Sequence, residues 1–158
     1  MYRTGHYGVS LIVYAPVLAA CLLLGARELA LVGGVGMLAL APVPDYDQRV
    51  PGVRHRGVTH TLAFAAFTGL ALGVIGALLP ADAIALPIRV AFAAGIGVLG
   101  IVGHLAGDVL TPAGVRPLWP VSSREYTLSL WTAANPVANY GLLAAGIGVT
   151  AAVLLALA

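Results

Sequence analysis

Cysteine, lysine and charge in general are scarce in this chain. Cys21 is the single cysteine, which excludes an intramolecular disulfide and a zinc site built from thiolates. Charged residues make up 9% of the 158 positions and hydrophobic ones 60%, with a mean hydropathy of +0.98. An ordinary soluble domain is about 25% charged, so this composition excludes a soluble cytosolic enzyme. Lysine is absent, and eight arginines face four aspartates and two glutamates for a formal net charge of +2. That excess is too small to imply a nucleic-acid partner. There is no internal repeat, low-complexity tail or linker. The N-terminal apolar stretch follows His6 and Tyr7 without a small-residue cleavage motif and reads as a retained span.

Long apolar runs are what the chain does have. They extend from about Tyr7 to Gly25, Leu29 to Val43, Val58 to Leu79, Ile88 to Leu110, and Ala138 to the C-terminus. At about 20 apolar residues per crossing, these runs predict an all-α transmembrane bundle of about five spans, filling one domain over residues 1–158. The second run is short and Gly-rich and its end is the least defined. Pro80 closes the third run, Pro87 opens the fourth and Pro112 follows it, as expected of a residue tolerated at helix starts and poorly inside them. The pairs Gly69/Gly73 and Gly103/Gly107 have the spacing of close helix packing inside a bundle.

Arginines set the orientation. Arg3, Arg49, Arg54, Arg56, Arg116 and Arg124 fall on one side, and Arg27 and Arg89 on the other. The excess places the N-terminus and its neighbouring loops in the cytoplasm, at the inner or plasma membrane.

The polar residues are concentrated. His6 lies at the mouth of the first span, Asp45 and Asp47 follow the second, His55 and His60 precede the third, and His104 and Asp108 end the fourth. All seven share the cytoplasmic side, and only Asp82 belongs to the opposite loop, where it reads as solvated. His104 and Asp108, spaced i and i+4, share one helix face, with His104 about 9 Å inside the span's end. Ionisable groups at such depth are costly unless they face partners or a polar cavity, so the pair marks a functional site.

Imidazole with carboxylate is the donor set of Zn, and also of Mn or Fe(II). Seven candidate ligands (His6, Asp45, Asp47, His55, His60, His104 and Asp108) exceed the four of one tetrahedral zinc. They suggest two divalent ions, or one ion with a second ring of carboxylates. Arg54 and Arg56 flank His55, and Thr59 with the Gly57 backbone stands where the third span begins. Guanidinium forks and a helix N-terminus both suit phosphate oxygens. A phosphoester at lipid headgroup level is therefore the expected guest, with Arg54, Arg56 and Thr59 holding it and Asp45 or Asp47 bridging metals or serving as base. The segment from Val121 to Asn135, with Trp119 before it and Trp131 within it, reads as an interfacial anchor, or in a functional version as a lid for the headgroup.

The segments Gly5-His6, Pro44-Asp45-Tyr46-Asp47, His55-Arg56-Gly57-Val58-Thr59-His60-Thr61, Gly103-His104-Leu105-Ala106-Gly107-Asp108, and Leu110 through Pro120 resemble the YdjM-like family. That family is described as inner-membrane-associated metal-dependent hydrolases, under LexA control in some bacteria and distantly similar to zinc-dependent phospholipase C. The resemblance implies a membrane hydrolase with the same seven residues as its metal set. The chain lacks the further His or Glu ligands of a three-zinc cluster. The expected activity is hydrolysis of a phosphoester of a membrane lipid or lipid-linked substrate. The alternatives are a divalent metal or proton transporter, and a structural membrane protein with a metal staple. The oligomeric state is left open by the sequence.

Overall fold

The computed structural model describes residues 1–80 and 84–157, so Asp82 lies outside the described residues. Five helices follow in order: α1 (Arg3–Leu23), α2 (Arg27–Leu40), α3 (Leu62–Leu78), α4 (Leu86–Val109) and α5 (Pro136–Leu157). Extended pairing among the described residues is limited to one antiparallel bridge, Val115 with Tyr126.

Among the described residues, four helical stretches are long and apolar enough to cross a membrane. One of them, Arg27–Arg49, reaches that length only by including a 3-10 turn, because α2 itself has 14 residues. The expected five spans thus resolve into three full-length helices, one composite, and α3, whose 17 residues sit at the lower limit of about 17 for a crossing. The sequence runs on to Val43 and Leu79 because apolar residues continue past the helix ends. Hydropathy does not register the turn that ends α2.

Between α1 and α2 the chain reverses at Gly25, which has φ of +71°. The Gly25 N–H bonds to the Leu22 carbonyl at 3.0 Å and the Ala26 N–H to that of Cys21 at 2.8 Å. This left-handed cap suits glycine because any Cβ would be strained there. The hairpin buries Tyr14, Leu18, Cys21, Ala30 and Met37 against Ile96 of α4. The Tyr14 hydroxyl is satisfied by donating to the Ala30 carbonyl at 2.6 Å.

The predicted glycine pairs do pack inside the bundle. A Cβ on Gly97 of α4 would stand 2.7 Å from the Gly69 Cα of α3, so the two backbones touch. Gly103 and Gly107 face Ser10 and His6 of α1. Outward, Leu31, Leu70, Val137 and Leu155 are exposed, which in a bilayer is the lipid-facing surface.

Beyond α4 the chain carries no helix until α5. Residues 115–130 return along the end of α4 through Val115 and Tyr126, Leu128 N–H to the Val109 carbonyl, and Leu130 N–H to that of Leu110. The segment from Val121 to Asn135 is thus an extended strap tied by backbone bonds, with Val121, Leu128 and Leu130 exposed along it.

Candidate metal centre

Each ligand candidate is delivered by a local device. Pro44 starts the 3-10 turn Pro44–Arg49, its fixed φ suiting a first helical position, and so carries Asp45 and Asp47 under the end of α2. Thr61 caps α3, accepting from the Phe64 N–H at 3.1 Å and donating to the Val58 carbonyl at 2.7 Å. That cap locks the turn Val58–His60 and with it the His60 ring. His6 comes from the first turns of α1, and His104 and Asp108 from the last turns of α4.

Four of the seven candidates, Asp45, His60, His104 and Asp108, meet at one point, and His6 stands against it. The His60 and His104 Nε2 atoms are 3.2 Å apart. Asp108 Oδ2 lies 3.4 Å from the first and 3.5 Å from the second, and Asp45 Oδ1 3.5 Å and 3.7 Å. His6 stacks on His104 with centroids 3.8 Å apart, its Nε2 3.8 Å from Asp45 Oδ2 and 3.7 Å from Asp108 Oδ1. His6, His60, His104 and Asp108 are buried, while Asp45 keeps its side chain 21% exposed and opens the point to the outside.

The hydrogen bonds behind the rings show what this point lacks. His104 Nδ1 lies 2.7 Å from the Ala41 carbonyl, which can only accept, so Nδ1 carries the proton and Nε2 presents a lone pair. The Thr59 hydroxyl donates to Asp47 Oδ2 at 2.8 Å and therefore accepts from His60 Nδ1 at 2.9 Å, which leaves His60 Nε2 bare as well. Two lone pairs 3.2 Å apart repel unless a positive charge joins them. Asp108 Oδ2, buried and without a hydrogen-bond donor, faces the same place. The same place draws positive charge of either kind. Burial opposes the charged form of His60, yet the carboxylates of Asp108 and Asp45 outweigh that and raise its pKa above the ordinary imidazole value, so a proton competes with a cation for Nε2.

These donors fit a metal ion. Ligands about 2.0–2.1 Å from a tetrahedral zinc stand about 3.3–3.4 Å from one another, and the spacings around Asp45, His60, His104 and Asp108 fall close to that. The backing of His104 by a carbonyl and of His60 by a hydroxyl and carboxylate matches the usual support of metal-binding imidazoles.

Asp47 and His55 form a second group that shares His60. Asp47 is saturated differently: Oδ1 pairs with His55 Nδ1 at 2.9 Å, while Oδ2 accepts the Arg56 N–H at 3.2 Å and the Thr59 hydroxyl. It holds the rings from behind. Replacing Thr59 with Val keeps the shape and removes the hydroxyl that sets the His60 tautomer. Metal affinity should then fall by about 10–100-fold in competition with a chelating dye, the usual cost of such supporting bonds. An unchanged affinity would remove Thr59 from the support.

The arginines divide. Arg56, in a left-handed backbone conformation with φ of 59°, donates to Asp108 Oδ1 at 3.0 Å and to the Gly114 carbonyl at 2.8 Å, so its guanidinium clamps a ligand. Arg54 is exposed, and its guanidinium makes no hydrogen bond or ion pair among the described residues, while its carbonyl accepts from the Gly57 N–H at 3.0 Å. It lines a cleft of about 500 Å³ with His55, Arg56, Arg116, Trp119 and Glu125. Thr59, expected to hold the guest, spends its hydroxyl on Asp47 and His60 instead.

Three participants escape a reading of the sequence. The Ala41 carbonyl is backbone and carries no side-chain signal. The Met1 ammonium lies 3.3 Å from Asp108 Oδ1. Arg116 reads in the sequence only as an orientation signal, although it stands within the Leu110–Pro120 run that carries the family resemblance.

The family described as YdjM inner membrane protein matches the chain over residues 1–158. No curated protein and no solved structure matches it.

Proposed function

The chain belongs to the YdjM inner membrane protein family, and from that premise we propose that it is a metal-dependent hydrolase that cleaves a phosphoester of a membrane lipid or lipid-linked substrate at the cytoplasmic surface. The observation that supports this reading is the set of bare imidazole nitrogens and carboxylate oxygens meeting beside an arginine-lined cleft. Asp45, His60, His104 and Asp108 hold the ion, zinc before manganese or iron(II), with His6 against its outer side. Seven candidate ligands suggest two ions, and a second group, Asp47, His55 and His60, stands beside the first. We place one ion at the first group, where Asp108 Oδ2 has no donor, since both oxygens of Asp47 are already hydrogen-bonded.

Held by these residues, a divalent ion would supply a water acidified towards neutral pH and a Lewis acid for phosphoryl oxygens. The chain's own groups do the rest. Asp108 and Asp45 fix the charge of the site, Arg56 holds Asp108 in place, and Asp45, the ligand open to the outside, lies where a proton is accepted. Cytoplasmic orientation follows from the six arginines gathered at the site's end against Arg27 and Arg89 at the other.

Purified protein should retain metal through gel filtration and hydrolyse a member of a panel of phospholipids and lipid diphosphates, with both properties lost in His104→Ala. Retained metal without turnover, together with metal uptake into proteoliposomes, would replace this reading by transport. The structure weighs against transport: beyond the site the interior is Tyr14, Met37 and Ile96, with no chain of polar ligands among the described residues.

A further inference from the structure

The cleft outside the metal point has a composition that selects its guest. One wall is the loop carrying Val53, Arg54 and Val58, and the other the stretch between α4 and the strap, with Arg116 and Trp119, together with Glu125 of the strap itself. Of its three guanidinium groups Arg56 is committed to Asp108 and Gly114. The Arg54 guanidinium has no partner among the described residues. Arg116 is held by a single contact, Glu125 Oε2 at 3.2 Å, with the two side chains 44% and 42% exposed. So exposed an ion pair contributes little, and a phosphomonoester, with a third acceptor oxygen and a negative charge of between about one and two, competes well with one carboxylate oxygen for such a fork. Val53, Val58 and Trp119 give the same cleft an apolar rim, each of them open to the surroundings. A guest that satisfies both halves is anionic at its head and apolar just beyond.

We propose that this cleft binds the phosphate of a membrane lipid, with Arg54 and Arg116 taking its oxygens from the two walls, Glu125 giving up Arg116 as it enters, and Trp119 resting against the acyl chains. Arg116 and Glu125 then act as a latch. It closes that side of the cleft when the site is empty and opens to a phosphomonoester headgroup, which is more anionic than a carboxylate, in preference to a phosphodiester. The inference rests on the hydrolase reading for what becomes of the lipid, but not for its binding.

Trp119 and Trp131 are the only tryptophans. Trp131 Nε1 is buried without a hydrogen-bond partner, so Trp131→Phe loses no bond and leaves Trp119 as sole reporter. In nanodiscs of phosphatidylcholine, phosphatidic acid with brominated acyl chains should quench Trp119 saturably. Arg54→Gln or Arg116→Gln should weaken that binding by about tenfold or more, the worth of charge-assisted bonds to phosphate, and Glu125→Gln should strengthen it. Inorganic phosphate should compete only at far higher concentration. Quenching that is unsaturable and indifferent to either arginine would overturn the proposal. So would competition by inorganic phosphate at equal concentration, which marks a site for free phosphate. The same titration on His104→Ala separates the two readings: quenching that persists while no lipid is hydrolysed by the wild-type protein removes the hydrolase and leaves the lipid site standing.

Discussion

Asp108→Asn is expected to empty the metal site. Asp108 is the side chain that reaches all three imidazoles, 3.4 Å from His60 Nε2, 3.5 Å from His104 Nε2 and 3.7 Å from His6 Nε2. The amide preserves volume and removes the charge that offsets a divalent ion. It also leaves Arg56, 17% exposed, with a neutral amide oxygen in place of its carboxylate partner, which weakens a part-buried charge-assisted bond. Two changes should therefore appear together: metal per chain near zero after gel filtration, by mass spectrometry, and a lower melting temperature in detergent. Full metal occupancy in this variant would show that the cation is held elsewhere.

Gly97→Val should act on the fold first and on the site through it. The new Cβ would stand 2.7 Å from Gly69 Cα and 2.8 Å from the Thr68 carbonyl oxygen, both backbone atoms of α3 that no rotamer change can move. Overpacking costs about 1–3 kcal/mol where side chains can adjust and more where a helix must shift. α3 begins directly after His60 and α4 carries His104 and Asp108, so parting these helices separates two walls of the metal site. Thermal melts followed by circular dichroism should show a marked loss of stability, and chelator competition a loss of affinity. Gly95→Val is the control on the same helix. Nothing lies within 4 Å of its Cβ, and its melting curve should match the wild type.

How far the sequence reveals this arrangement depends on the range of the interaction. Hydropathy places the ends of the helices, and with them His6, Asp45, His104 and Asp108, because an ionisable side chain near a bilayer is confined to the ends or to a polar pocket. It also brings His55 and His60 to the same face. It does not separate them: five residues apart around a turn, His60 is buried among the donors and His55 lies at the cleft, and only the Thr61 cap and the Asp47 bonds decide which goes where. Arg56 is legible as a phosphate-binding type. Its actual partner lies 52 residues away and its backbone is left-handed, neither of which leaves a mark in a run of neighbours. The strap from Val121 to Asn135 looks amphipathic by composition, but bonds to Val109 and Leu110 hold it extended. The second span looks longer than α2 because Pro42, Val43 and Pro44 prolong an apolar run whose backbone has already left the helix.

X-ray absorption at the metal edge of the purified wild-type protein tests most directly whether four elements assemble one cation site. A shell of nitrogen and oxygen alone is expected, with the outer scattering of two or more imidazoles, and that imidazole signal should diminish in His60→Ala and in His104→Ala. Sulfur in the shell, or a spectrum that neither substitution changes, would contradict it.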